Sequence, residues 1–168
     1  NLIGANNVAI KSLFALKKIS YLEVSIYGHD FESFCNITGR GKEQYDRLVE
    51  NLTTLESLFS QKPPGLNICL SIRTYRSFQF NKGSQNELLE IIEKLRQAGV
   101  QIGLSSQVDN WGGDIGESDV ADIEMDLIDG KHLYKKGPCG LPFDSVQITA
   151  EGKVNACACR DPRGSLLL

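Results

Sequence analysis

Three thiols lie near the end of the chain, in PCGLPFDSVQITAEGKVNACACRD: Cys139, Cys157 and Cys159. Twelve residues separate Cys139 from Gly152, and four separate Gly152 from Cys157. Thiolates are soft, anionic ligands, so three of them brought together make a soft-metal site. The stretch between them predicts how they would meet. Val146 and Ile148 alternate with Gln147 and Thr149, Glu151-Gly152 reads as a two-residue turn, and Val154 and Ala156 resume the alternation. Such a hairpin carries Cys157 and Cys159 back beside Cys139. Alternation sets Cys157 and Cys159 on one face, where Cys159 either ligates too or packs. The plain alternative for each thiol is a small buried hydrophobe. Cys35 and Cys69 have no thiol partner at metal-ligand spacing and read as structural.

The elements that must position these thiols precede them. The 168 residues, 41% of them hydrophobic with a net charge of −3, suffice for one large or two small packed domains. No basic stretch points to nucleic acid, no apolar run reaches the length of a membrane span, and no signal peptide opens the chain. Five cysteines are an odd number. In a chain of this size they fit a reducing cytoplasm better than secretion. Asn1 is not an initiator and Leu166-Leu167-Leu168 has nothing to pack against, so a fragment of a longer protein is expected.

Periodicity gives the order α-β-α-β-α-β. Residues 5–18 predict a helix with Val8, Leu13, Phe14 and Leu16 on its apolar face. Tyr21 to Tyr27 alternates as a strand, Gly28-His29-Asp30 breaks it, and a loop runs to about Gly41. Residues 42–60 carry Tyr45, Leu48, Val49, Leu52, Leu55 and Phe59 on one helical stripe, ended by Pro63-Pro64-Gly65. Leu66 to Thr74 is the next strand. Residues 85–98 predict a helix opened by a Ser84/Glu87 capping box and stopped by Gly99. Val100, Ile102 and Leu104 alternate as the third strand. Strands alternating with amphipathic helices imply right-handed crossovers and a parallel sheet. The fold class is α/β, a partial layer or half barrel over 1–106. A connector follows over 107–138, with Trp111 in a Gly-rich loop and an acidic run from Glu117 to Asp129. The cysteine segment occupies 139–168.

Ligands in such folds sit at the carboxyl ends of the strands. Ser25, Tyr27, Gly28 and His29 stand there after the first strand. Arg73, Thr74 and Arg76 follow the second, and Ser105, Ser106 and Asp109 the third. His29 has no partner pattern and reads as solvated.

Together the two halves resemble one family. VSIYGHD at 24–30, ITGRGKEQYDRLVENLTTL at 37–55 and the spacing C-x12-G-x4-C look like the C-terminal half of a radical S-adenosylmethionine (SAM) enzyme with a SPASM auxiliary-cluster domain. The resemblance implies a partial (β/α)6 barrel. It also implies a catalytic four-iron four-sulfur cluster that reduces SAM to a 5′-deoxyadenosyl radical, and an auxiliary 4Fe-4S cluster near the substrate. Ser25, Gly28 and Arg73 would then face SAM, and Cys139, Cys157 and Cys159 would ligate the auxiliary iron–sulfur cluster. The implied substrate is a peptide, a protein or a small molecule, and the implied electron donor a flavodoxin or ferredoxin. The family's C-x3-C-x2-C loop is not in this sequence, and only the opening half of the SPASM pattern is present. His132 is a further candidate ligand. Another function class fits the same thiols, a zinc-binding interaction module using Cys139, Cys157, Cys159 and His132.

Overall fold

Alternating apolar and polar residues fold into three strands: β1 (Tyr21–Tyr27), β2 (Asn67–Arg73) and β3 (Gln101–Ser105). The computed structural model describes residues 2–80, 86–110, 115–128, 147–148 and 154–155. The chain divides into two units, one of Asn1–Ser106 with Ile123–Met125, the other of Gln107–Asp122 with Asp126–Leu168. In the first unit the strands lie in the order β1-β2-β3, and both pairs are parallel. Ser25 stands opposite Ser71 and Ser71 opposite Gly103, while Tyr27, Arg73 and Ser105 form the next row.

The helices of this unit are α1 (Asn7–Phe14), α2 (Phe31–Thr38), α3 (Lys42–Leu58) and α4 (Glu87–Gln97). Their apolar stripes and one sheet face make a single core. Val24, Ile26, Ile68, Leu70 and Ile72 join Leu48, Leu52 and Leu55 of α3 and Leu88, Ile92 and Leu95 of α4. Each such side chain contributes roughly 1.5–3 kcal/mol by leaving water. The opposite sheet face is polar. Glu23, Ser25, Tyr27, Cys69, Ser71, Arg73, Gln101, Gly103 and Ser105 are all half-buried or exposed. Parallel sheets are usually apolar on both faces, so this asymmetry is the fold's distinctive property.

Several elements differ from expectation. The first helix is shorter than residues 5–18, because the Asn6 side chain accepts from the Ala9 N–H and caps it there. Ile10 and Phe14 face the core, one turn apart, while Val8 (70% exposed) and Leu16 (50%) lie off that stripe. The expected loop to Gly41 contains α2, which Asp30 caps through the Ser33 N–H at 2.8 Å and Gly39 ends in the left-handed conformation. The cap of α4 is Asn86, one residue before the helix, accepting from the Leu89 N–H at 3.2 Å. It replaces the expected Ser84 box. Leu104 is exposed because β3 is an edge strand among the described residues.

The chain returns to the first unit at Ile123–Met125. The Arg76 N–H donates to the Glu124 carbonyl at 2.8 Å, and the Ser77 N–H to the Glu124 carboxylate at 3.3 Å. Met125 is buried. In the second unit β4 (Gln107–Asp109) pairs in parallel with β5 (Asp126–Ile128), and α5 spans Glu117–Val120. The hairpin strands are β6 (Gln147–Ile148) and β7 (Val154–Asn155), antiparallel as expected. Their register is one residue away from the expected turn. Ile148 opposes Val154, which leaves an odd number of residues between them, whereas a two-residue turn at Glu151-Gly152 requires an even one. No helix among the described residues is long and apolar enough to cross a membrane.

Candidate functional site

Parallel register brings two of the predicted residues together. Tyr27 and Arg73 are neighbours at the carboxyl ends of β1 and β2, and Ser25 lies one pleat below on the same face. Arg73 Nη1 donates to Ser25 Oγ at 3.2 Å, and its guanidinium lies 5.7 Å from the Tyr27 ring centroid. Arg73 makes no ion pair among the described residues.

Gly28 has a different surrounding. Its φ is +82°, and its N–H donates to the Arg73 carbonyl at 2.8 Å. A Cβ here would meet the Phe34 backbone nitrogen at 2.4 Å. The close approach that this glycine permits is therefore that of α2, not of a ligand.

His29 is not solvated. Its side chain is 19% exposed. Nδ1 lies 2.6 Å from the hydroxyl of Thr74, itself buried at 3% exposure. The ring stacks on Phe78 at 4.2 Å and meets Tyr75 edge-on at 5.6 Å. Asn86 Nδ2 donates to the His29 carbonyl at 2.7 Å, and the His29 N–H donates to Ser33 Oγ at 2.8 Å. His29 thus joins the end of β1, the start of α2, the segment after β2 and the cap of α4. No local pattern announces this role, because its partners stand far along the chain.

Electrostatics around α2 follow from its cap. Burial alone raises the Asp30 carboxyl, but hydrogen bonds from the Ser33 side chain and backbone, with the His29 ring beside it, outweigh that and hold it below its ordinary value. Tyr45 packs edge-on to Phe31 and Phe34. Its hydroxyl is pushed up to about 12 from 10.0, by burial first and then by the charges of Asp30, Glu87 and Asp46. The folded state therefore keeps the phenol neutral after the unfolded chain has ionised. Stability is fully present below pH 10.0 and falls as pH rises through about 12. Urea midpoints are expected to decline across that window, and Tyr45→Phe to flatten the decline. On the polar sheet face, the hydrogen bond with the Cys69 thiol raises the exposed Tyr21 hydroxyl.

A cavity of about 190 Å³ opens at the ends of β2 and β3. Thr74, Tyr75, Arg76 and Phe78 line one side, and Ser105 and Ser106 the other. Four residues predicted at strand ends, Thr74, Arg76, Ser105 and Ser106, thus border one space.

The metal question falls elsewhere. Cys139, Cys157 and Cys159, with His132 and Trp111, lie outside the described residues. Cys35 and Cys69 are free and half-buried. Among the described residues no three His, Cys, Asp or Glu side chains gather as a metal site requires. Of the groups that SAM would need, Ser25 and Arg73 fit an anionic carboxylate, whereas Gly28 is filled by the chain's own backbone. By donor chemistry alone, three thiolates fit an iron–sulfur cluster or zinc. No family model, no curated protein and no solved structure matches this chain.

Proposed function

We propose that the chain forms the C-terminal half of a radical SAM barrel and the start of a SPASM segment. The whole enzyme would use SAM and iron–sulfur clusters to modify a peptide, a protein or a small molecule. One observation carries the reading: a parallel α/β sheet apolar under its helices and polar on its other face, with Arg73 at the end of β2 hydrogen-bonded to Ser25, one pleat below it on β1. A barrel turns such a polar face inward, toward its ligands. The β6–β7 pairing supports the second part, since it lies between Cys139 and Cys157 and folds their segment back on itself. When bound, the catalytic cluster would supply the electron for SAM cleavage. In this chain Arg73 and Ser25 would hold SAM's carboxylate, and Cys139, Cys157 and Cys159 would ligate the auxiliary cluster. The C-x3-C-x2-C loop of the catalytic cluster would belong to a longer parent protein, reduced by a flavodoxin or ferredoxin in the cytoplasm.

The test is anaerobic reconstitution of the full chain with ferrous iron and sulfide. A brown protein with visible charge-transfer absorption and acid-labile sulfide is expected, and Cys157→Ser should remove most of both. A colourless chain holding stoichiometric zinc overturns the reading in favour of a zinc-binding interaction module.

A further inference from the structure

We propose that Arg73, Ser71 and Ser25 form an oxyanion site on the polar sheet face, one that takes the carboxylate or phosphate of a small ligand. Arg73 carries five N–H donors in a fixed fork. The only hydrogen bond its side chain makes among the described residues is the one to Ser25 Oγ. The Ser25 hydroxyl and the Tyr27 ring hold the guanidinium at the sheet, and among the described residues no carboxylate pairs with it. Glu23, the only acidic residue on this face of the three strands, makes no ion pair with it. An arginine held in this way retains unused donors suited to a bidentate anion.

The surroundings complete the site. Ser71 lies opposite Ser25, and Gly103 continues that row on β3. The Ser71 hydroxyl has no partner among the described residues. None of their side-chain polar atoms is both buried and unpartnered, so this hydroxyl, on half-buried Ser71, is not sealed from solvent. A Cβ placed on Gly103 would meet nothing within 4 Å. Among the described residues the space over Gly103 is therefore clear, beside the Ser71 hydroxyl and the Arg73 cation. The site shares Arg73 and Ser25 with the proposed SAM contact but does not rest on cluster chemistry.

The test is an NMR titration of the full chain with inorganic phosphate and, separately, acetate at constant ionic strength. The signals followed are the Arg73 side-chain N–H and the backbone amides of Ser71 and Gly103. Saturable shifts are expected. Arg73→Gln should weaken binding about tenfold or more, Arg73→Lys less, and Ser71→Ala a few-fold. Lys94→Gln on α4 should leave it unchanged. Tighter binding of phosphate identifies a phosphorylated ligand, and equal or tighter binding of acetate a carboxylate. Shifts that stay linear, or that survive both Arg73→Gln and Ser71→Ala, overturn the proposal. Should Arg73→Gln lose its native amide spectrum, Ser71→Ala and Arg73→Lys decide it. A final addition of SAM separates the two readings. Phosphate that binds saturably but is not displaced by SAM leaves this site standing and removes Arg73 from the SAM contact.

Discussion

Gly28→Ala is expected to destabilise the first unit by about 2–5 kcal/mol, and Gly65→Ala by only about 1–2 kcal/mol. The two glycines share a φ of +82°, so the backbone strain of adding a side chain is the same in both. They differ in what the new Cβ meets. At Gly65 there is nothing within 4 Å, whereas at Gly28 the Phe34 nitrogen stands at 2.4 Å and its Cα at 2.7 Å. These are backbone atoms in the first turn of α2, so relief means moving the helix and the fully buried Phe34 with it. Urea denaturation of both variants isolates the overlap by subtraction. Equal losses would show that α2 shifts freely and that the packing of β1 against it is soft.

His29→Ala should cost about 2–4 kcal/mol, which is large for a residue at a strand end. Truncation removes the partner of the buried Thr74 hydroxyl, worth about 1–3 kcal/mol, and the ring pair with Phe78, worth about 0.5–1.5 kcal/mol. A double-mutant cycle with Thr74→Val reads the hydrogen bond directly. In the His29→Ala background, Thr74→Val should cost less than in the parent, because the hydroxyl it removes is already unpaired. Additive losses would mean that the 2.6 Å contact contributes nothing.

The parts legible in the sequence were those whose causes are local. The alternation of Tyr21 to Tyr27 and of Leu66 to Thr74 marks two strands within a residue of their ends, and the stripe from Tyr45 to Leu55 marks α3. Helix α2 escapes a reading by periodicity although its end signals are present. Asp30 stands three residues before Ser33 and Gly39 closes the helix, but eight residues carry too few turns for periodicity to register. A serine at the third position also completes the cap less recognisably than a glutamate. At the site, the carboxyl ends of the strands gave Ser25 and Arg73, and parallel register explains why they touch. The significance of Ser71 and Gly103 depends on which face the helices leave bare. That is decided by packing between residues far apart in the chain. The same holds for His29, whose Thr74 partner lies 45 residues away. Gly28 announced a need for space, but not that α2 would fill it.

The return of Ile123–Met125 to the first unit sets an order of events on the ribosome. The strands and helices through Ser106 emerge first. Until Glu124 follows, the Arg76 and Ser77 amides lack their acceptors, and the pocket for Met125 stays empty. At about 5–20 residues per second that interval lasts on the order of one to a few seconds. During it the segment after β2 is unclamped, in the region where Thr74 and Phe78 must close on His29. A released chain truncated after Ser106 should therefore show β1, β2 and helices α1 to α4 formed, with this corner still open to proteases.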